Sequence, residues 1–174
     1  PLTEIVHPYL RRLSSSTRAA AHLVELDGTY CVYLARVAPA VTLVSNLQVG
    51  TRLPAHATVS GRMLLSGLRD DELVALHARM LREHGAAHLP SLKALVGRAR
   101  EDRERGYTMG ESAFDPGVMS FAAPVRNGTG AVVAAMNVVG PRNLMEDTGD
   151  AATFDAIVGQ EARDLSATLG YSGR

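Results

Sequence analysis

The sequence predicts an α+β domain: a mostly antiparallel central sheet of about six strands with helices on both faces. Two groups of three apolar, strand-like stretches bracket a long helical block. Strands and helices therefore do not alternate, which argues against a doubly wound parallel sheet. Each group also contains a hairpin-type link, Asp27-Gly28 in the first and Arg126-Asn127-Gly128-Thr129-Gly130 in the second. With 174 residues, 46% hydrophobic and 21% charged, the chain can bury one core and is too short to expect two domains.

Ile5, Tyr9, Leu10 and Leu13 recur at helical spacing, so the first segment reads as an amphipathic helix ending near Thr17. Ala21 to Leu26, Tyr30 to Val37 and Val41 to Leu47 follow as strands. In the middle block Pro54 suits a first helical turn, Asp70 and Ser91 are N-cap candidates, and Gly85 and Gly106 are C-terminal stops. Leu73, Leu76, Met80 and Leu81 form one apolar face; Leu92, Leu95, Val96 and Ala99 form another. Tyr107 to Glu111, Val118 to Val125 and Ala131 to Val139 read as strands again. A closing helix carries Phe154, Ile157, Val158, Ala162, Leu165 and Leu169, with Gly170 as its stop. The terminal helices are expected to pack one face of the sheet and the middle helices to roof a cavity on the other, a place where small molecules bind.

Composition excludes several function classes. Eighteen basic and eighteen acidic residues balance, so this stretch lacks the basic excess of a nucleic-acid binder. The helix pair from His56 to Gly67 and from Asp70 to Glu83 resembles a helix-turn-helix, but Asp70, Asp71 and Glu72 would face phosphate. Cys31 is the single cysteine, which rules out an intrachain disulfide, suits a reducing cytoplasm and reads as a small buried apolar residue. The longest apolar run, Ala131 to Val139, is about half of the roughly 20 residues a membrane helix needs. The chain opens on Pro1 without a signal pattern, so a fragment of a longer protein is expected.

Among candidate sites, the small residues from Ala55 to Gly61 open a helix, whose first turn offers unpaired N–H groups and a positive dipole end to an anion such as a carboxylate. The structural alternative is tight helix packing with Gly61 as the contact point. His56 and Ser60, four apart, raise the idea of an activated serine, but neither Gly-x-Ser-x-Gly nor Ser-x-x-Lys occurs. His84 and His88 have the spacing of a helical metal pair, although Gly85 interrupts them, so neither metal nor cofactor is expected. The glycines at 128 and 130 lie between strands and read as a hairpin loop rather than a phosphate cradle.

Gly50-Thr51-Arg52-Leu53-Pro54-Ala55-His56-Ala57-Thr58, then Gly61-Arg62-Met63-Leu64-Leu65, Gly106-Tyr107, the run from Gly117 to Val125, and Val138-Val139-Gly140-Pro141 closely resemble the C-terminal effector-binding domain of IclR-type bacterial transcription regulators. The match is ordered, correctly spaced and covers nearly the whole chain. The resemblance implies a GAF-like (profilin-like) fold, a separate N-terminal winged helix-turn-helix domain that would contact DNA, and assembly into a homodimer or tetramer. It implies a small organic or aromatic acid as effector, lined by Thr58, Val59, Ser60, Val118, Ser120 and Asn137, with Thr42 and Ser45 as further wall positions. Glu111 and Asp115 flank Ser112-Ala113-Phe114 where the family often has an acidic pair, so either could face the pocket; Glu111 is the first candidate. Val139 stands where serine is common, which favours a less polar effector. The run from Gly50 to Thr58 looks more like the aromatic-catabolism regulators of the family. Two other readings stand beside this one: a ligand-free oligomerisation module, whose pocket would be filled by side chains, and a hydrolase using His56 and Ser60.

Overall fold

The computed structural model describes residues 1–40 and 47–173. Helices α1 (Leu2–Ile5) and α2 (His7–Thr17) lead into strands β1 (Ala20–Asp27) and β2 (Tyr30–Val37), and then into the short strand β3 (Arg52–Pro54). A 3₁₀ turn (Ala55–Ala57) precedes α3 (Val59–Ser66), α4 (Asp70–His84) and α5 (Leu92–Arg105). Strands β4 (Thr108–Glu111), β5 (Val118–Arg126) and β6 (Val132–Pro141) complete the sheet, and α6 (Arg142–Thr148), α7 (Ala151–Phe154) and α8 (Gln160–Thr168) close the chain, the last two joined by a π-helical turn (Asp155–Gly159). Among the described residues, no helix is long and apolar enough to cross a membrane.

The six strands run in the order β3-β2-β1-β6-β5-β4, every neighbouring pair antiparallel. The α+β expectation therefore holds. The expected strand from Val41 to Leu47 lies almost wholly in 41–46, outside the described residues; among the described residues Arg52–Pro54 pairs with β2 at the edge, where a proline can sit without spoiling the ladder. Pro54 consequently ends a strand rather than starting a helix. The helix α6 also went unread, because Gly140-Pro141 suggests a stop and the seven residues after it carry little apolar periodicity.

Strand alternation sorts the side chains onto two faces. Leu23, Phe121, Ala123, Val125, Met136 and Val138 point toward the terminal helices, where they meet Leu10, Leu13, Phe154, Val158 and Leu165. Tyr107, Phe121 and Phe154 stack in series there, with centroids 5.0 and 5.7 Å apart. Val24, Ala122 and Ala135 point the other way, onto Val59, Met63 and Leu64 of α3. Behind α3, Leu65, Leu73, Met80, Leu95 and Ala99 form a third cluster with α4 and α5. Helix α3 is thus sandwiched between the sheet and the α4–α5 pair, and its start is the fixed point around which the site is built.

Several cap expectations are met and one shifts. Ser91 caps α5, accepting from Ala94 N–H at 3.1 Å, and Gly106 ends it in the left-handed region at φ 80°. For α4 the N-cap is Arg69; Asp70 is the first helical residue, and the Glu72 side chain returns to the Arg69 N–H.

Candidate functional site

The start of α3 is built by a tight corner. Thr58 is its N-cap, with its hydroxyl accepting from Gly61 N–H at 2.9 Å and its carbonyl from Arg62 N–H at 3.0 Å. Helix geometry leaves the first N–H groups of a helix without internal partners. Here Thr58 N–H goes to Ala55 O and Gly61 N–H to the cap, so among the described residues the N–H groups of Val59 and Ser60 remain as open donors. Further bonds tie the corner down: Thr108 donates to Val59 O at 2.8 Å, and the Cys31 thiol sits 3.4 Å from Leu53 O and 3.3 Å from the Thr58 hydroxyl. Burial pushes that thiol above its usual value. Cys31 is the small buried residue the sequence suggests.

Against this corner lies a cavity of about 270 Å³. Val59, Leu53, Val118 and Val139 are among the apolar wall residues; Tyr33, Thr51, Thr58, Ser60, Ser112 and Ser120 supply hydroxyls; Phe114 and Asp115 also line it. No arginine or lysine is among the described lining residues. Of the expected wall positions, Thr58, Val59, Ser60, Val118 and Ser120 line the cavity, whereas Thr42 and Ser45 lie outside the described residues.

Two expected positions are corrected. Asn137 is buried one layer behind the wall: its amide donates to Ser60 Oγ at 2.7 Å, and its Oδ1 accepts from His22 Nδ1 at 2.8 Å. It holds the Ser60 hydroxyl and is not itself on the cavity wall. Glu111 points away from the cavity: it accepts from Gly117 N–H at 2.9 Å and pairs with Arg142 at 3.1 Å, and these two partners hold its carboxyl below the usual range. Asp115 is the acid on the cavity wall.

Sequence reasoning missed Tyr33, Thr51 and the His22 layer. Strand alternation could have found part of it, since His22, Ser120 and Asn137 fall on the α3-facing side of three adjacent strands. Burial pushes the Tyr33 phenol above its ordinary value, against the pull of Ser60. Desolvation pushes the His22 imidazole down to about 4, Arg36 acting in the same direction and the Asn137 bond opposing. With Nδ1 donating to Asn137, Nε2 is a buried lone pair without a partner, and protonating it would bury an unpaired cation.

A pH dependence follows from His22. Between about pH 6.5 and 4 the unfolded chain binds a proton at this residue that the folded chain refuses, so stability present above 6.5 is lost as the pH falls through this window. The loss expected from this residue is about 3 kcal/mol. Urea denaturation of the wild type and His22→Gln at pH 7 and 4.5 checks it: the variant should decline less steeply, and equal declines would contradict the assignment.

The serine-nucleophile idea fails on geometry. Ser60 is engaged by Asn137, while His56 lies on the far side of the corner with its ring 5.6 Å from that of His84. Burial, then His84 and His77, push the His56 imidazole below its usual value. His88 follows Gly85 and has left the helix that carries His84. Among the described residues, no three His, Cys, Asp or Glu side chains cluster in a way that could hold a metal.

Residues 1–167 match the family model described as bacterial transcriptional regulator IclR, C-terminal. The chain belongs to the IclR family. The IclR-family regulator XynR of Escherichia coli K12 is 32% identical over 164 residues, covering 94% of this chain and 65% of that protein. The Pca regulon regulatory protein of Pseudomonas putida is 34% identical over 140 residues, covering 79% of this chain and 48% of that protein. This chain spans between about half and two thirds of the length of such curated relatives. Its fold also matches the inducer-binding domain of PobR from Acinetobacter, solved as a double mutant with 3-hydroxybenzoic acid, with TM-score 0.77, 23% identity and 98% of both chains covered. The curated relatives XynR and the Pca regulon protein are named as regulators.

Proposed function

We propose that this chain is an effector sensor: it binds a small organic acid, best an aromatic one, in the cavity beside α3, and so modulates DNA binding by a winged helix-turn-helix domain elsewhere in the full-length, cytoplasmic protein. The observation that carries this reading is the pair of open N–H donors at Val59 and Ser60 beside a hydroxyl-lined cavity without a basic side chain in its described wall. A carboxylate seated there takes its charge complement from the helix start. Ser120 and Ser60 then address its oxygens or a ring hydroxyl, and Asn137 fixes the Ser60 hydroxyl for that role. At about 270 Å³ the space suits a single-ring acid, and Val139 keeps one wall apolar. An open cavity speaks against a purely structural module.

Binding can shift the paired DNA-binding domains only by its differential affinity for their two arrangements. The proposal therefore includes self-association, as a dimer or tetramer through a surface that leaves the cavity open, with zero net charge removing long-range repulsion between copies. Light scattering at micromolar concentration should give a multiple of 18.5 kDa; a monomer across that range opposes it.

Thermal denaturation with 3-hydroxybenzoate, benzoate and short-chain acids tests the sensor reading. A ligand at 100 times its Kd should stabilise the chain by about 2.7 kcal/mol. If no acid in the panel raises Tm at millimolar concentration, the reading fails.

A further inference from the structure

The corner at Ala57–Val59 and residues 113–114 form a wall with two sides. One side is the cavity; the other faces a separate groove of about 720 Å³. Their chemistry differs. The described cavity wall holds Asp115 and no basic side chain, whereas the groove gathers Arg62, Arg98, His56, His84 and His88. Its one carboxylate among the described residues, Glu111, is already satisfied by Arg142 and Gly117 N–H.

The donors can be assigned one by one. Arg62 spends Nε and Nη2 on Asp102, which leaves Nη1. Arg98 is exposed on α5 and has no hydrogen bond or ion pair among the described residues. Nδ1 of His56 is buried without a partner, and a buried N–H lacking an acceptor is rarer than an unpaired lone pair. The neutral ring therefore carries its hydrogen on Nε2, the nitrogen left for the groove. The Thr29 hydroxyl has one hydrogen, given to Glu83 at 2.5 Å, so His84 Nε2 donates to Thr29 and its ring is held in place.

We propose that this groove is a second ligand site, taking an oxyanionic group of a small molecule, phosphate or carboxylate, with Arg98 supplying charge and His56 Nε2 and Arg62 Nη1 supplying hydrogen bonds. The site does not depend on the cavity being an effector pocket.

Amide-resolved NMR titration of the chain with inorganic phosphate, and separately with acetate, at constant ionic strength tests it. Saturable shifts are expected at Ala87, Arg98 and Gly110, with a Kd on the order of millimolar, and with Ser120 and Val139 unmoved. Saturation by phosphate alone assigns a phosphate-bearing ligand, and saturation by acetate a carboxylate. Arg98→Ala and His56→Ala should each weaken the titration about fivefold or more, while thermal melts confirm that both variants stay folded. Absence of saturation by either anion, shifts centred on Ser120 instead, or titrations indifferent to both substitutions would overturn the proposal.

Discussion

Gly61→Ala is expected to destabilise the chain by about 3 kcal/mol, lowering Tm on the order of 10 °C, and to abolish ligand binding in the cavity. A β-carbon at this position would lie 2.0 Å from Ala55 O and 2.5 Å from the Thr58 hydroxyl. The first of these is backbone, so no rotamer change relieves it; the 3₁₀ turn and the start of α3 must separate. The open donors at Val59 and Ser60 would then lose their aim. Gly97→Ala is the control: it sits inside α5 with nothing within 4 Å of the new methyl, and helix propensity predicts a gain of up to about 1 kcal/mol. Paired melts of the two variants check the claim, and equal Tm values for Gly61→Ala and wild type would refute it.

Asp102→Ala is the second large effect. This carboxylate is 1% exposed and accepts a two-pronged bond from Arg62 at 2.7 and 3.2 Å, with Arg105 at 3.5 Å. With the Arg103 bond to Ser66 O and the apolar contacts of Leu65 with Leu95 and Ala99, it clamps α3 to α5. Removing one member of a buried pair leaves the other charge uncompensated, at a cost of about 3–5 kcal/mol; because the Arg62 side chain is 27% exposed and can reach water, the lower end is expected. Replacing both partners, Arg62→Met with Asp102→Leu, should recover most of the loss, since an apolar pair of similar volume removes the desolvation penalty as well. Denaturant unfolding of the two single variants and the double variant measures the coupling; additive losses would show that the pair does not act as a unit.

Much of the fold was legible because its signals are local. The hairpin signalled at Asp27-Gly28, which turns through Gly28-Thr29, the periodic apolar faces of α2 and α8, and the caps at Ser91, Gly85 and Gly106 are each written within a few residues. The corner at Ala55–Gly61 was legible as a run of small side chains; of the two readings offered for it, the tight packing contact is the one seen, at Gly61, and the anion-accepting helix start remains part of the proposal. Arg62–Asp102 was not legible, because the partners are forty positions apart and nothing in either neighbourhood marks them as a pair. The layer position of Asn137 was likewise hidden. Sequence can place it on the α3-facing side of β6, but whether it meets ligand or a neighbouring side chain depends on Ser60 standing in front of it. Arg52–Pro54 escaped as a strand because three residues are too few for alternation to register.

Amide-resolved NMR of the chain titrated with 3-hydroxybenzoate tests the effector-sensor proposal most directly. Saturable shifts are expected at the N–H groups of Val59 and Ser60, together with Ser120, and those shifts should be lost in Gly61→Ala. A titration that saturates without moving Val59 or Ser60, or one that leaves every cavity residue in place, would contradict the proposal.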